Sequence, residues 1–84
     1  NVIVGGEPIK SVSINLRTVE SEIANSLTEI QNQNKDIEIG SYPFFKAGKI
    51  GVSIVLRSEN KSKIEKCYSQ IIKFVKEKNI EIIN

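Results

Sequence analysis

Three features of this 84-residue sequence predict an α+β fold. Residues 11–17, SVSINLR, alternate strictly between polar and apolar. Two later segments carry apolar residues at spacings of three and four, and between them lie two extended segments close enough in sequence to pair. Two βα units whose middle strands form a hairpin pack most simply as a split βαβ, with right-handed crossovers and both helices on one sheet face. The expected architecture is therefore a two-layer, ferredoxin-like plait in βαββαβ order, its four antiparallel strands arranged 4-1-3-2.

Each element follows from local pattern. In the first strand Val12, Ile14 and Leu16 fall on one side and Ser11, Ser13, Asn15 and Arg17 on the other, as in a half-buried strand. Thr18 is expected to cap the following helix, and Glu20 and Glu22 complement the positive end of its dipole. Val19, Ile23, Ala24, Leu27 and Ile30 form its apolar stripe. The polar run QNQNK at 31–35 makes a connection, with Asn34 expected in the left-handed conformation that closes a helix.

Period two resumes at 36–40, with Ile37 and Ile39 inward and Asp36 and Glu38 outward. An aromatic loop is expected next, then a third strand at 49–57 with Ile50, Val52, Ile54 and Leu56 on one face. Ser58 to Asn60 supplies caps for a second helix on which Ile64, Cys67, Tyr68, Ile71, Phe74 and Val75 recur at helical spacing. That helix stops near Lys78 and Asn79, and residues 80–83 read as a short last strand. Residues 1–10, with Gly5-Gly6 and Pro8, form a lead-in whose Val2, Ile3 and Val4 are available for edge pairing; residues 11–84 form the single domain.

Composition narrows the chemistry. The absence of methionine leads us to expect a fragment of a longer polypeptide. A net charge of +2 is too small to argue for nucleic acid or an anionic membrane. One cysteine precludes an internal disulfide, and no run approaches the ~20 apolar residues of a membrane span, so a reducing cytoplasmic setting is expected. With no His, one Cys and no Trp, the usual nucleophile–base pairs and zinc sites cannot be assembled, and no catalytic or metal-ligating residue is assigned.

The remaining candidates are weaker than their structural readings. Cys67 lies on an apolar stripe, as a buried thiol does. Glu20 and Glu22 diverge on a helix, and Asp36 with Glu38 reads as a solvated strand edge rather than a cation pair. Gly48-Lys49-Ile50-Gly51 spells the GxxG of RNA-binding KH domains, but it leads from a loop into a strand instead of joining two helices. Gly5-Gly6 lacks the helix and the Lys-Ser/Thr pair of a phosphate loop. The bare sheet face is expected to show Ser13, Asn15, Arg17, Ser53, Val55 and Arg57 without a ring, leaving Arg17 and Arg57 as candidate anion contacts.

The stretch Gly40, Ser41, Tyr42, Pro43, Phe44 and Phe45 carries the main candidate site. In one reading the rings fold under the hairpin and seal the core. In the other, Pro43 stiffens a turn that presents a ring to a neighbouring domain or ligand.

The run IEIGSYP at 37–43, then a short connection, GVSIVLR at 51–57 and a lysine-rich amphipathic helix resembles a known segment. It follows the molybdopterin-binding-like (MoCF) domain in CinA-type competence/damage-inducible proteins and in the N-terminal half of eukaryotic FAD synthases. The first strand and VESEIA at 19–24 resemble that segment's first strand and helix, and the likeness covers about residues 8–83. It implies a noncatalytic KH-like or plait accessory domain beside a catalytic MoCF domain of the same chain, acting by domain packing or by homo-oligomerisation. The implied chemistry is metal-dependent hydrolysis of FAD or ADP-ribose pyrophosphate bonds, whose motifs have no counterpart here, so no cofactor is assigned to these residues. The residues alone support an alternative of another class, a small nucleic-acid-binding plait using Arg17, Arg57, Lys46 and Lys49.

Overall fold

The computed structural model describes residues 9–83. Its elements are β1 (Lys10–Arg17), α1 (Glu20–Gln33), β2 (Glu38–Lys46), β3 (Lys49–Ser58), α2 (Lys61–Glu77) and β4 (Glu81–Ile82). The three strand pairings are antiparallel, and the sheet order β2-β3-β1-β4 is the expected 4-1-3-2 read from the opposite edge. The edge pairing considered for Val2 to Val4 lies outside the described residues.

The alternation of β1 sets the layering. Val12, Ile14 and Leu16 stand directly opposite Leu56, Ile54 and Val52 of β3, and opposed residues in an antiparallel pair share a face. Onto that face α1 brings Ile23, Leu27 and Ile30, while α2 brings Ile64, Cys67, Ile71, Phe74 and Val75. Ile14, Leu16, Ile54, Leu56, Ile23 and Ile71 are completely buried, each worth roughly 1.5–3 kcal/mol of transfer free energy. Val19 and Ala24, expected on the α1 stripe, face solvent at its margin.

The helix ends depart from expectation in two places. The N-cap of α1 is Val19, whose side chain offers no cap bond; buried Thr18 instead donates its hydroxyl to the Glu22 carboxylate at 2.7 Å. Asn34 ends α1 at φ −131° and not in the left-handed region. Its side-chain amide is buried and donates to the Ile30 carbonyl and to Gln70 Oε1, both at 2.7 Å, tying the end of α1 to α2. Those bonds occupy the polar groups that a left-handed closure would otherwise have to satisfy.

At α2 the expected cap is present: Asn60 Oδ1 accepts from the Lys63 backbone N–H at 3.0 Å. Asn60→Ala is expected to cost about 1 kcal/mol, read as a fall of roughly 4–8 °C in Tm by circular dichroism. An unchanged Tm would show that the bond contributes nothing. The left-handed closure belongs here, to Asn79 at φ 58°.

Candidate functional site

A two-residue turn determines where the aromatic stretch lies. Ala47 and Gly48 both have positive φ, 55° and 77°, the type I′ geometry whose twist matches that of paired strands. The turn closes on Lys46↔Lys49, and the ladder then runs without interruption back to Glu38↔Arg57. Residues 42–45 are thus strand, and the expected loop is corrected. Pro43 is compatible with the ladder because of its position. A two-residue turn closes on a hydrogen-bonded pair, so the pairs alternate and Pro43↔Val52 is a non-bonded one. The missing N–H of Pro43 consequently falls on the outer edge of β2, where it blunts an otherwise open strand.

Alternation sends the stretch to two faces. Ile39, Ser41, Pro43 and Phe45 lie on the helix-covered side, opposite Leu56, Ile54, Val52 and Ile50. Gly40, Tyr42 and Phe44 lie on the bare side, opposite Val55, Ser53 and Gly51. None of the three rings belongs to the core, so they do not seal it.

On the helix side, Ser41 donates to the Glu20 carboxylate at 2.7 Å, fixing the start of α1 against β2. Beyond that point β1 pairs with β3 only as far as Leu16↔Val52, and the hairpin continues as a two-stranded arm. Val52 is 0% exposed, whereas the next helix-side pair outward, Phe45 with Ile50, is 71% and 48% exposed. The loss of cover follows from the geometry: the arm extends past the strand against which the helices pack.

On the bare side, the expectation of a face without rings is overturned. Tyr42, 54% exposed, lies over Gly40; a Cβ there would meet the ring and its hydroxyl at 2.6–3.0 Å. Phe44, half-buried, crosses onto β3 over Gly51, where a Cβ would come within 2.4 Å of Cζ. The two glycines are flat places in the sheet on which the rings rest. Lys46 and Lys49 continue this face to the turn, Arg57 stands at its far end, and Arg17, at the end of β1, lies level with Gly51 and Phe44.

Both arginines have acidic neighbours: Arg17 Nε is 3.7 Å from the Glu81 carboxylate, and Arg57 is directly opposite Glu38. The Asp36 carboxylate accepts from Lys63 Nζ, and that bond together with the lysine's charge lowers its pKa. Asp36 precedes β2 and does not share a strand face with Glu38 as expected. Burial raises the pKa of the Cys67 thiol, in keeping with a packing role. Among the described residues, no helix is long and apolar enough to cross a membrane.

Fold and surface together define an α+β plait domain with a projecting hairpin that displays aromatic residues on both flanks. Residues 8–83 match the family described as the FAD synthase middle domain, and the chain belongs to that family. No curated protein and no solved structure matches it.

Proposed function

We propose that this chain is a noncatalytic accessory domain of an FAD-synthase-related protein and that it packs the helix-side flank of its arm against the neighbouring domain of the same polypeptide. The observation that carries this reading is the Phe45–Ile50 pair, apolar, directly opposed and left uncovered where the helices end. Contiguous exposed apolar side chains mark contact surfaces, and a ring set in a pocket anchors one. The family's description as a middle domain fits a chain with neighbours. The resemblance of residues 37–43 and 51–57 to CinA-type and FAD-synthase segments favours a MoCF-type domain as that neighbour, which would carry the chemistry on FAD or another nucleotide pyrophosphate.

Area favours a tethered contact over a dimer. Two side chains supply far less than the ~800 Å² per partner of a stable free-standing interface. A covalently linked domain is present at roughly millimolar effective concentration, so a small contact suffices. Pro43 further disfavours edge-to-edge pairing of β2 with a second copy.

In the full-length protein, amide exchange in the arm is expected to be at least about tenfold slower than in the 84-residue chain, the size of effect one anchor residue confers. Phe45→Ser with Ile50→Ser should abolish that difference while leaving the isolated domain folded. Equal exchange in the two contexts would remove the packing role. Separately, the purified chain supplied with FAD or ADP-ribose and a divalent metal is expected to give no turnover; turnover would remove the noncatalytic one.

A further inference from the structure

We infer that the bare sheet face binds single-stranded nucleic acid, with bases stacking on Tyr42 and Phe44 and phosphates meeting Lys46 and Lys49. The inference uses the face opposite the packing flank and does not depend on the reading above. It rests on the strand register, which gathers onto one surface groups that are scattered in the sequence: Tyr42, Phe44, Lys46, Lys49, Arg57 and Arg17.

Charge points to an anionic partner. This face carries four cations against Glu38 and Glu81, which accounts for the whole surplus of the chain and leaves eight charges of each sign elsewhere. Glu38 stands beside Arg57 at the end of the face away from the turn, and Glu81 stands beside Arg17 at the level of Gly51 and Phe44. Among the described residues neither Lys46 nor Lys49 is paired with a carboxylate, so the hairpin end carries positive charge that no ion pair offsets.

Spacing points to an extended polymer. Tyr42, Phe44 and Lys46 follow one another at every second position of β2, roughly 7 Å apart along a strand. Rings and cations therefore succeed each other along a line instead of converging on a concave pocket, as a mononucleotide site would require. Aromatic platforms combined with a cationic track are how single strands are held without sequence readout. The flat glycine positions beneath the rings keep the track clear of projecting side chains.

The test is fluorescence anisotropy of the 84-residue chain with labelled oligo-U and oligo-dT. Binding is expected at low salt, with affinity falling as salt rises at a log–log slope of about −1 to −3, at ~0.7 per neutralised phosphate. Tyr42→Ala should weaken it about 5- to 150-fold, the range measured for loss of one stacked base. Tyr42→Phe, which keeps the ring, should retain binding and so separate stacking from loss of fold. Lys46→Glu with Lys49→Glu should flatten the salt slope, whereas Lys73→Glu on the exposed side of α2 should leave it unchanged. No binding at low salt, or binding indifferent to both the ring and the two lysines, would overturn the inference. So would sedimentation showing this face buried between two copies of the chain.

Discussion

Ile54→Ala is expected to destabilise the domain by about 2–5 kcal/mol. Ile54 is completely buried in the middle of β3, opposite Ile14 on one neighbouring strand and Ser41 on the other. Truncation there loses the transfer free energy of the removed carbons and leaves a cavity between sheet and helices that a two-layer fold cannot close from one side. A domain of this size has a total stability of only about 4–13 kcal/mol, so the variant should be partly unfolded at 37 °C. Urea denaturation gives the value directly. A loss below about 1 kcal/mol would mean that the sheet–helix layer does not carry the stability.

Gly51→Ala is expected to cost about 1–3 kcal/mol through overpacking. A Cβ at this position would sit 2.4 Å from Phe44 Cζ and 2.8 Å from the Leu16 carbonyl oxygen. The phenylalanine can swing away, but the carbonyl belongs to the backbone of β1 and cannot move without disturbing the end of its pairing with β3. Gly40→Ala provides the comparison. Its three nearest contacts are all atoms of the Tyr42 side chain, which can be displaced, so the stability loss should be smaller. Equal stability of wild type and Gly51→Ala would show that β1 and β3 do not approach as closely as described.

The sequence announced those elements that bury one face and wet the other. SVSINLR and the residues from Val52 to Leu56 alternate because a half-buried strand requires it, and the stripes from Ile23 to Ile30 and from Ile64 to Val75 recur because each helix covers the same sheet face. The second half of β2 gave no such signal. Past Ser41 the helices no longer cover it, so its two sides have no contrast in burial, and Gly, Ser and Pro within it read as punctuation. The missed clue was strand length. A third strand beginning at Lys49, after a tight Ala47-Gly48 turn, needs a partner of equal length reaching back to residue 38.

The error at the aromatic stretch changed the reading of function. As a loop it left the bare sheet face without a ring; as a strand it sends Tyr42 and Phe44 to that face and Phe45 to the other. The helix-end errors were smaller and had a different cause. Thr18 and Asn34 are good capping residues by type, but each is buried and its side chain is drawn into a bond with a neighbour, to Glu22 and to Gln70 respectively. For Thr18 the competing partner is local, one turn along the helix, whereas the Gln70 bond of Asn34 comes from a partner that only the fold supplies.

The extended course of β2 is most directly tested by cross-strand Hα–Hα nuclear Overhauser effects, which are strong only between non-hydrogen-bonded partners, whose Cα atoms lie about 4.5 Å apart. Strong effects are expected for Pro43 with Val52 and for Phe45 with Ile50. Their absence, with coil-like chemical shifts from Tyr42 to Phe45, would return the aromatic stretch to a loop and remove both binding surfaces.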